Sequence, residues 1–148
     1  MREAEVAAET LDEFTHTKFM EECSESWTPC FIYLTNGPVN DKKNTKHLET
    51  IKRAKIESRK KGYPAKFGHI DGLCQYEISN EYGRKEQILP NFVLFHGRKN
   101  SGSNLSGKLT LEEINGFIDA DHKGQLVLYE LGDVRVIDRD CEEFHAKP

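Results

Sequence analysis

Two stretches of this chain are apolar without interruption. Residues 30–35, Cys-Phe-Ile-Tyr-Leu-Thr, and residues 92–95, Phe-Val-Leu-Phe, are short runs rich in β-formers. Runs of that length predict strands buried on both faces. Residues 67–71 alternate apolar and polar side chains, the pattern of a half-buried strand. Helical spacing occupies the segments between. Over residues 45–61 Leu48, Ile51, Ala54 and Ile56 share one side, with Asp41 or Asn44 as the cap. Over 74–82 Tyr76 and Ile78 to Tyr82 lie close to one face, and Gly83 is placed to end that helix in a left-handed conformation. Residues 11–26 carry Phe14, Phe19, Met20 and Cys23 at helical spacing behind a capping box at Thr10 and Glu13. A second box, Thr110 and Glu113, opens a helix with Leu111, Ile114, Phe117 and Ile118 inward.

Breakers divide these elements. Pro29 stops the first helix, Asn36-Gly37-Pro38 follows the 30–35 run, and Gly62-Tyr63-Pro64 ends the second helix. Residues 96–100 read as a turn, 101–104 as a flexible hairpin connection, and 105–109 as an edge strand. Residues 3–9 suit a helix or a short strand equally. Beyond residue 121, clusters at 125–129 and 134–137 fit an added hairpin or a strand with a short helix.

The ordered set strand, helix, Pro90, strand over residues 67–97 resembles the thioredoxin fold of protein disulfide isomerase-type domains. Ile70-Asp71 ends a strand as in that family, Tyr82-Gly83 ends the short helix, and Pro90 stands where a cis-proline opens the next strand. The link from Tyr82 to Pro90 is a couple of residues longer than the family pattern. The resemblance implies an α/β, thioredoxin-like three-layer sandwich with a central mixed sheet, spanning residues 1–120. Residues 121–148 are then a C-terminal extension.

With 148 residues the chain suits a single domain with a real core. Apolar residues at 36% and charged residues at 31% describe a polar globular protein. A net charge of -4 argues against a dedicated nucleic-acid binder. The charge is uneven: residues 3–25 and 138–143 are acidic, and residues 42–66 are basic. The basic stretch reads as a solvated helix face, with a docking surface for an acidic partner as the alternative. No run is apolar enough for a membrane span, and residues 1–11 lack the apolar core of a signal peptide. The sequon Asn104-Leu105-Ser106 hints at a secretory compartment.

Active members of the resembled family place a Cys-x-x-Cys pair after the central strand, where the helix N-terminus favours a thiolate. Here Val39-Asn40-Asp41-Lys42 occupies that place, and the buried carboxylate some members keep falls near Tyr33. None of these side chains performs thiol–disulfide exchange, so no catalytic residue is assigned. Trp27-Thr28-Pro29-Cys30 imitates the motif but precedes a strand instead of following one. Cys23 and Cys30 are spaced so that a structural disulfide is open to them, and two reduced buried cysteines is the simpler reading. Cys74, at a helix start, is either a reactive thiol or an inert one. Cys141 is expected to be exposed. The six histidines show no zinc-ligand spacing, and no cofactor or metal is expected.

What the resemblance leaves is a binding surface. In such domains the proline strand end pairs with an extended peptide by strand addition; Leu89, Pro90 and Asn91 match it, with Asn36, Gly37 and Pro38 beside them. The expected function is a redox-inactive module that binds polypeptide or a partner protein, in the endoplasmic reticulum or secretory pathway, with the cytoplasm as alternative. The rivals are an atypical thiol oxidoreductase using Cys30, Cys23 or Cys74, and an architectural domain of a larger protein.

Overall fold

The structure is a computed structural model that describes residues 3–83, 88–105 and 108–146. Every residue of the central strand β2 (Cys30–Thr35) is buried. Its side chains alternate between two cores. Cys30, Ile32 and Leu34 face one cluster, with Phe14, Phe19, Ile70, Ile78, Val93 and Phe95. Phe31 and Tyr33 face the other, with Ile51, Ala54, Phe67, Phe92, Ile114 and Phe117. An apolar strand with a period of two needs cover on both sides, and helices supply it.

β2 pairs in parallel with β3 (Lys66–Asp71) and antiparallel with β4 (Asn91–His96). β1 (Asp12–Glu13), β5 (Ser101–Asn104) and β6 (Tyr129–Glu130) complete a mixed sheet in the order β1-β3-β2-β4-β5-β6. One face carries α3 (Lys42–Lys60) and α5 (Leu111–His122), which contact each other. The other carries α2 (His16–Phe19), the π-helical turn Met20–Ser24 and α4 (Tyr76–Tyr82).

Two helix starts follow the sequence. The Asp41 side chain accepts from Lys43 N at the head of α3, and Thr110 accepts from Glu113 N at the head of α5. At the far end of the sheet Asp121 ties α5 to its neighbours, with Oδ1 3.0 Å from His96 Nε2 and Oδ2 accepting from Tyr63 Oη. Burial pushes that carboxyl up, and the hydrogen bonds from His96 and Tyr63 outweigh it, so its pKa lies below the ordinary value.

Several expectations are corrected. Residues 11–26 are not one helix. Leu11 and Phe14 are buried in opposite clusters, which an extended chain achieves and a helical turn does not. β1 therefore runs beside β3, Phe14 N donates to His69 O, and the helix starts after Thr15, which caps it in place of Thr10. Met20 is exposed. Tyr76 points outward, with the Arg139 guanidinium 4.9 Å from its ring centre. Gly83 has φ -112°, not left-handed, because α4 closes with an ordinary bond from Gly83 N to Ser79 O.

Residues 101–104, read as a hairpin connection, form strand β5, four residues ahead of the expected edge strand. They pair antiparallel with β4, and Gly102 makes the close approach possible. A Cβ on Gly102 would lie 2.2 Å from Leu94 O and 2.9 Å from Tyr82 Oη. Leu105 and Leu109 lie outside any strand; Ser106 and Gly107, and with Ser106 the end of the sequon, fall outside the described residues, as does 84–87 in the longer link before Pro90. Residues 3–9 resolve as helix α1 (Glu3–Ala8).

The acidic start and the basic 42–66 stretch answer each other. Glu9 lies 3.0 Å from Lys55 and 2.7 Å from Arg59, Glu5 3.1 Å from Lys60, and Glu3 2.6 Å from Arg53. That seam between α1 and α3 takes up much of the charge the sequence offered to an acidic partner. Each exposed pair is worth at most about 1 kcal/mol, so the seam positions α1 more than it stabilises the fold.

The extension is built into the body. α5 runs to His122, two residues past the expected boundary at 120, and Leu131, Val134 and Val136 are buried in the first cluster. Its regular elements are β6, paired with β5, and α6 (Cys141–Ala146).

Phe31 is the centre of the α3/α5 core, with ring centroids 5.3 Å from Phe67, 5.8 Å from Phe92 and 5.9 Å from Phe117. Phe31→Ala is expected to cost about 3–5 kcal/mol, read as a lower urea midpoint with an unchanged slope.

Candidate functional site

The parallel strands β1, β3 and β2 all end on one side of the sheet, and β4 begins there. Three connections therefore meet: residues 36–41 after β2, residues 72–75 after β3, and residues 88–90 before β4. Gly72 N donates to Thr35 O at 2.9 Å. A Cβ on Gly72 would meet Leu89 Cδ2 at 2.7 Å, and one on Gly37 would lie 3.9 Å from Leu73 Cδ1. Gly72 is thus required by close approach, and Gly37 by its φ of +89°. The Leu89–Pro90 bond is cis. Asn36, Gly37, Pro38, Leu89, Pro90 and Asn91 accordingly lie around one end of the sheet.

Their exposure differs. Asn36 and Pro38 are exposed, Leu89 and Pro90 half-buried, and Gly37 and Asn91 buried. Large apolar side chains stand open beside them, with Val39 40%, Leu73 37% and Ile88 65% accessible. A hollow of about 320 Å³ on one side of Pro90 is lined by Tyr82, Ile88, Asn91, Asn104 and Leu105. On the other side of the 36–41 loop a cleft of about 490 Å³ is lined by Pro38, Val39, Asn40, His69, Cys141 and His145, among others.

Val39 and Asn40 are exposed in that loop, Asp41 caps α3 and Lys42 is its first residue. Beneath the loop, where the family's buried carboxylate is expected, Tyr33 makes a polar network. Its hydroxyl donates to Asn44 Oδ1 at 2.9 Å, and its oxygen lies 2.7 Å from His47 Nδ1. The hydroxyl proton is committed to Asn44, so His47 carries its proton on Nδ1 and donates it to Tyr33. Asn44 Nδ2 in turn donates to Asn36 O at 3.3 Å and Pro38 O at 2.8 Å. The network fixes the loop through its carbonyls. Burial pushes the Tyr33 hydroxyl pKa far up, with Asp41 adding to it, so this group stays neutral and moves no proton near pH 7.

All four cysteines are paired. Cys23–Cys30 joins the π-turn to β2 with both residues fully buried, so the two reduced thiols of the simpler reading are replaced by a bond. Cys74, read as a reactive or inert free thiol, is bonded to Cys141, which is half-buried rather than exposed. The separation of 67 residues carries no spacing cue; only the even cysteine count could have signalled it. None of Cys23, Cys30 and Cys74 presents the free thiol that the oxidoreductase reading required.

The second disulfide belongs to a clamp that sequence reasoning missed. Gln75 Nε2 donates to Ile137 O at 2.8 Å, and Ile137 N donates to Gln75 Oε1 at 2.9 Å. Arg139 donates to Cys74 O at 2.6 Å and forks onto Glu77 at 3.0 and 2.7 Å. Burial raises the Glu77 pKa, and the Arg139 hydrogen bond, a backbone hydrogen bond and the charges of Arg139 and Arg135 together bring it below the ordinary value. His145 Nε2 lies 2.5 Å from Asp71 Oδ2. Asp71 Oδ1 meanwhile accepts from Leu73 N and Cys74 N, turning the chain into α4. Among the described residues no group of histidine, cysteine and acidic side chains could hold a metal ion, and no helix is long and apolar enough to cross a membrane.

Comparison with known proteins places the fold. No protein-family model matches the chain, and no curated protein does. Solved structures do match. The thioredoxin-like domain of Arabidopsis NCP (nuclear control of PEP activity) superposes with a TM-score of 0.63 at 14% identity, covering 88% of this chain and 93% of that domain. Human ERp44 in a zinc-bound form gives a TM-score of 0.53 at 10% identity over 74% of this chain, which spans 31% of that one. The crystal structure of ERdj5 form II gives 0.57 at 11% identity over 80% of this chain and 15% of that one. The chain has a thioredoxin-like fold.

The Tyr33 network sets a pH dependence. Burial, then Lys43 and Lys46, holds the His47 pKa below the ordinary 6.5. Burial does the same for His69 against a partial pull from Asp12. As pH falls below 6.5 the unfolded chain takes up these protons before the folded one, so stability declines with acid in that window. The unfolding free energy at pH 5.5 is expected to fall below that at pH 7.5, and the difference to shrink in H47Q/H69Q. Tyr33→Phe leaves Asn44 Oδ1 without its donor and is expected to cost about 1–3 kcal/mol at either pH.

Proposed function

We propose that this thioredoxin-fold domain binds extended polypeptide at the end of the sheet where residues 36–38, 72–73 and 88–91 meet, without catalysing thiol–disulfide exchange there. The observation that carries the reading is that each of the three connections meeting at this end holds an open apolar side chain, Val39, Leu73 and Ile88, with Val39 in the cleft and Ile88 in the hollow beside Pro90. Apolar side chains grouped on a monomer surface mark interaction sites. Strand addition there takes affinity from main-chain hydrogen bonds, while the two hollows select side chains. The loop that would hold a dithiol carries Val39 and Asn40, and Tyr33 in place of a carboxylate makes it a rigid platform. Two disulfides favour an oxidising compartment such as the endoplasmic reticulum or another part of the secretory pathway. The burial of Leu131, Val134 and Val136 supports a domain complete in its own core over an extension that docks onto a neighbour.

The test uses reduced, carboxymethylated lactalbumin, a permanently unfolded polypeptide, with the intact chain. Binding is expected to perturb amide resonances at 36–38, 72–73 and 88–91. Leu73→Asp is expected to weaken binding about tenfold, equivalent to about 1.4 kcal/mol, while Val127→Asp, an equally apolar exposed position outside these hollows, leaves it unchanged. Equal loss in both variants, or shifts confined elsewhere, would sink the reading.

A further inference from the structure

The Cys74–Cys141 disulfide fastens a wall of the cleft that the body of the domain does not otherwise bury. The clamp of main-chain and guanidinium contacts ends at Arg139, and α6 begins at Cys141. No residue of α6 is buried. Cys141, Glu142 and His145 nevertheless form the side of the cleft opposite Pro38, Val39 and Asn40. A helix of six residues does not hold its shape in water without anchors. Here the anchors include the disulfide at its first residue and His145 against Asp71 near its last.

The two disulfides differ in access. Cys23 and Cys30 are both fully buried. Cys141 is half-buried and lines both the 490 Å³ cleft and a neighbouring one of about 290 Å³. Cys74 is fully buried as well, so the approach for a small reductant is through Cys141, and the Cys23–Cys30 bond offers none.

Resting on the binding reading above, we infer that Cys74–Cys141 is a redox latch: its reduction releases α6 from the cleft and opens the site to extended polypeptide. The reductant is a dithiol. Its thiolate attacks Cys141 Sγ, the Cys74–Cys141 bond breaks, and Cys74 leaves with the electron pair and takes up a proton. The reductant's second thiol then displaces Cys141 from the mixed disulfide. The products are two protein thiols and the oxidised, disulfide form of the reductant. Residues 131–139 stay in place through Leu131, Val134, Val136, the Gln75–Ile137 pair and Arg139. The opening is local, a low-stability unit detached from a stable core.

The test compares the oxidised chain, the chain treated with dithiothreitol under native conditions, and the C74A/C141A variant. Alkylation of the native reduced protein is expected to mark Cys74 and Cys141 and spare Cys23 and Cys30. Hydrogen exchange at 140–146 is expected to become immediate in both open forms while β2 and β4 stay protected. Affinity for carboxymethylated lactalbumin is expected to rise roughly tenfold, as when a closed state holding nine molecules in ten is removed. Unchanged protection at 140–146 overturns the latch, and so does opening with affinity unchanged or lowered from a measurable value. Opening of α6 with no binding in any form instead supports the movable wall and sinks the binding reading alone.

Discussion

A strand buried on both faces governs this domain. β2 has no solvent-exposed side, so it requires two layers of cover, and it takes a strand partner on each edge to satisfy its backbone. Those demands place α3 and α5 on one face, the π-turn and α4 on the other, β3 and β4 alongside. The loops that leave and enter these strands must then gather at one end of the sheet. The site is a consequence of the core.

That end is held by a neutral network. Tyr33 contributes a phenol whose one proton is committed to Asn44, and Asn44 spends both of its donors on the carbonyls of Asn36 and Pro38. Every member is satisfied, the condition under which a buried polar network rigidifies its surroundings. A rigid loop bearing exposed Val39 beside Leu73 suits recognition by shape and apolar contact.

The carboxyl-terminal residues divide physically at Arg139. Before it, apolar side chains and paired hydrogen bonds merge the segment into the core. After it, α6 contributes no buried residue, and its contacts to the body include the disulfide at its first residue and His145 against Asp71 near its last. Support in this chain is therefore graded, and α6, a helix that buries no residue, stands as a wall of the cleft.

The strands and helices whose cause is local or periodic were legible in the sequence: β2, β3 and β4 from their apolar runs, α3 and α5 from stripe and cap, and the thioredoxin-like order from Asp71, Tyr82-Gly83 and Pro90. Tertiary structure decided the rest. Leu11 and Phe14 read as a helix because their spacing fits one, and became extended because the two cores needed them on opposite sides. Ser101-Gly102-Ser103-Asn104 read as a linker because these residues carry no strand signal, and became β5 by pairing with β4 and β6, where a side chain at Gly102 would strike Leu94 O, Tyr82 and Leu131. The pairing of Cys74 with Cys141, and of His145 with Asp71, spans some 70 positions and leaves no periodic trace. Periodicity records which way neighbouring side chains must point; it holds no information about which distant segment will be brought to meet them.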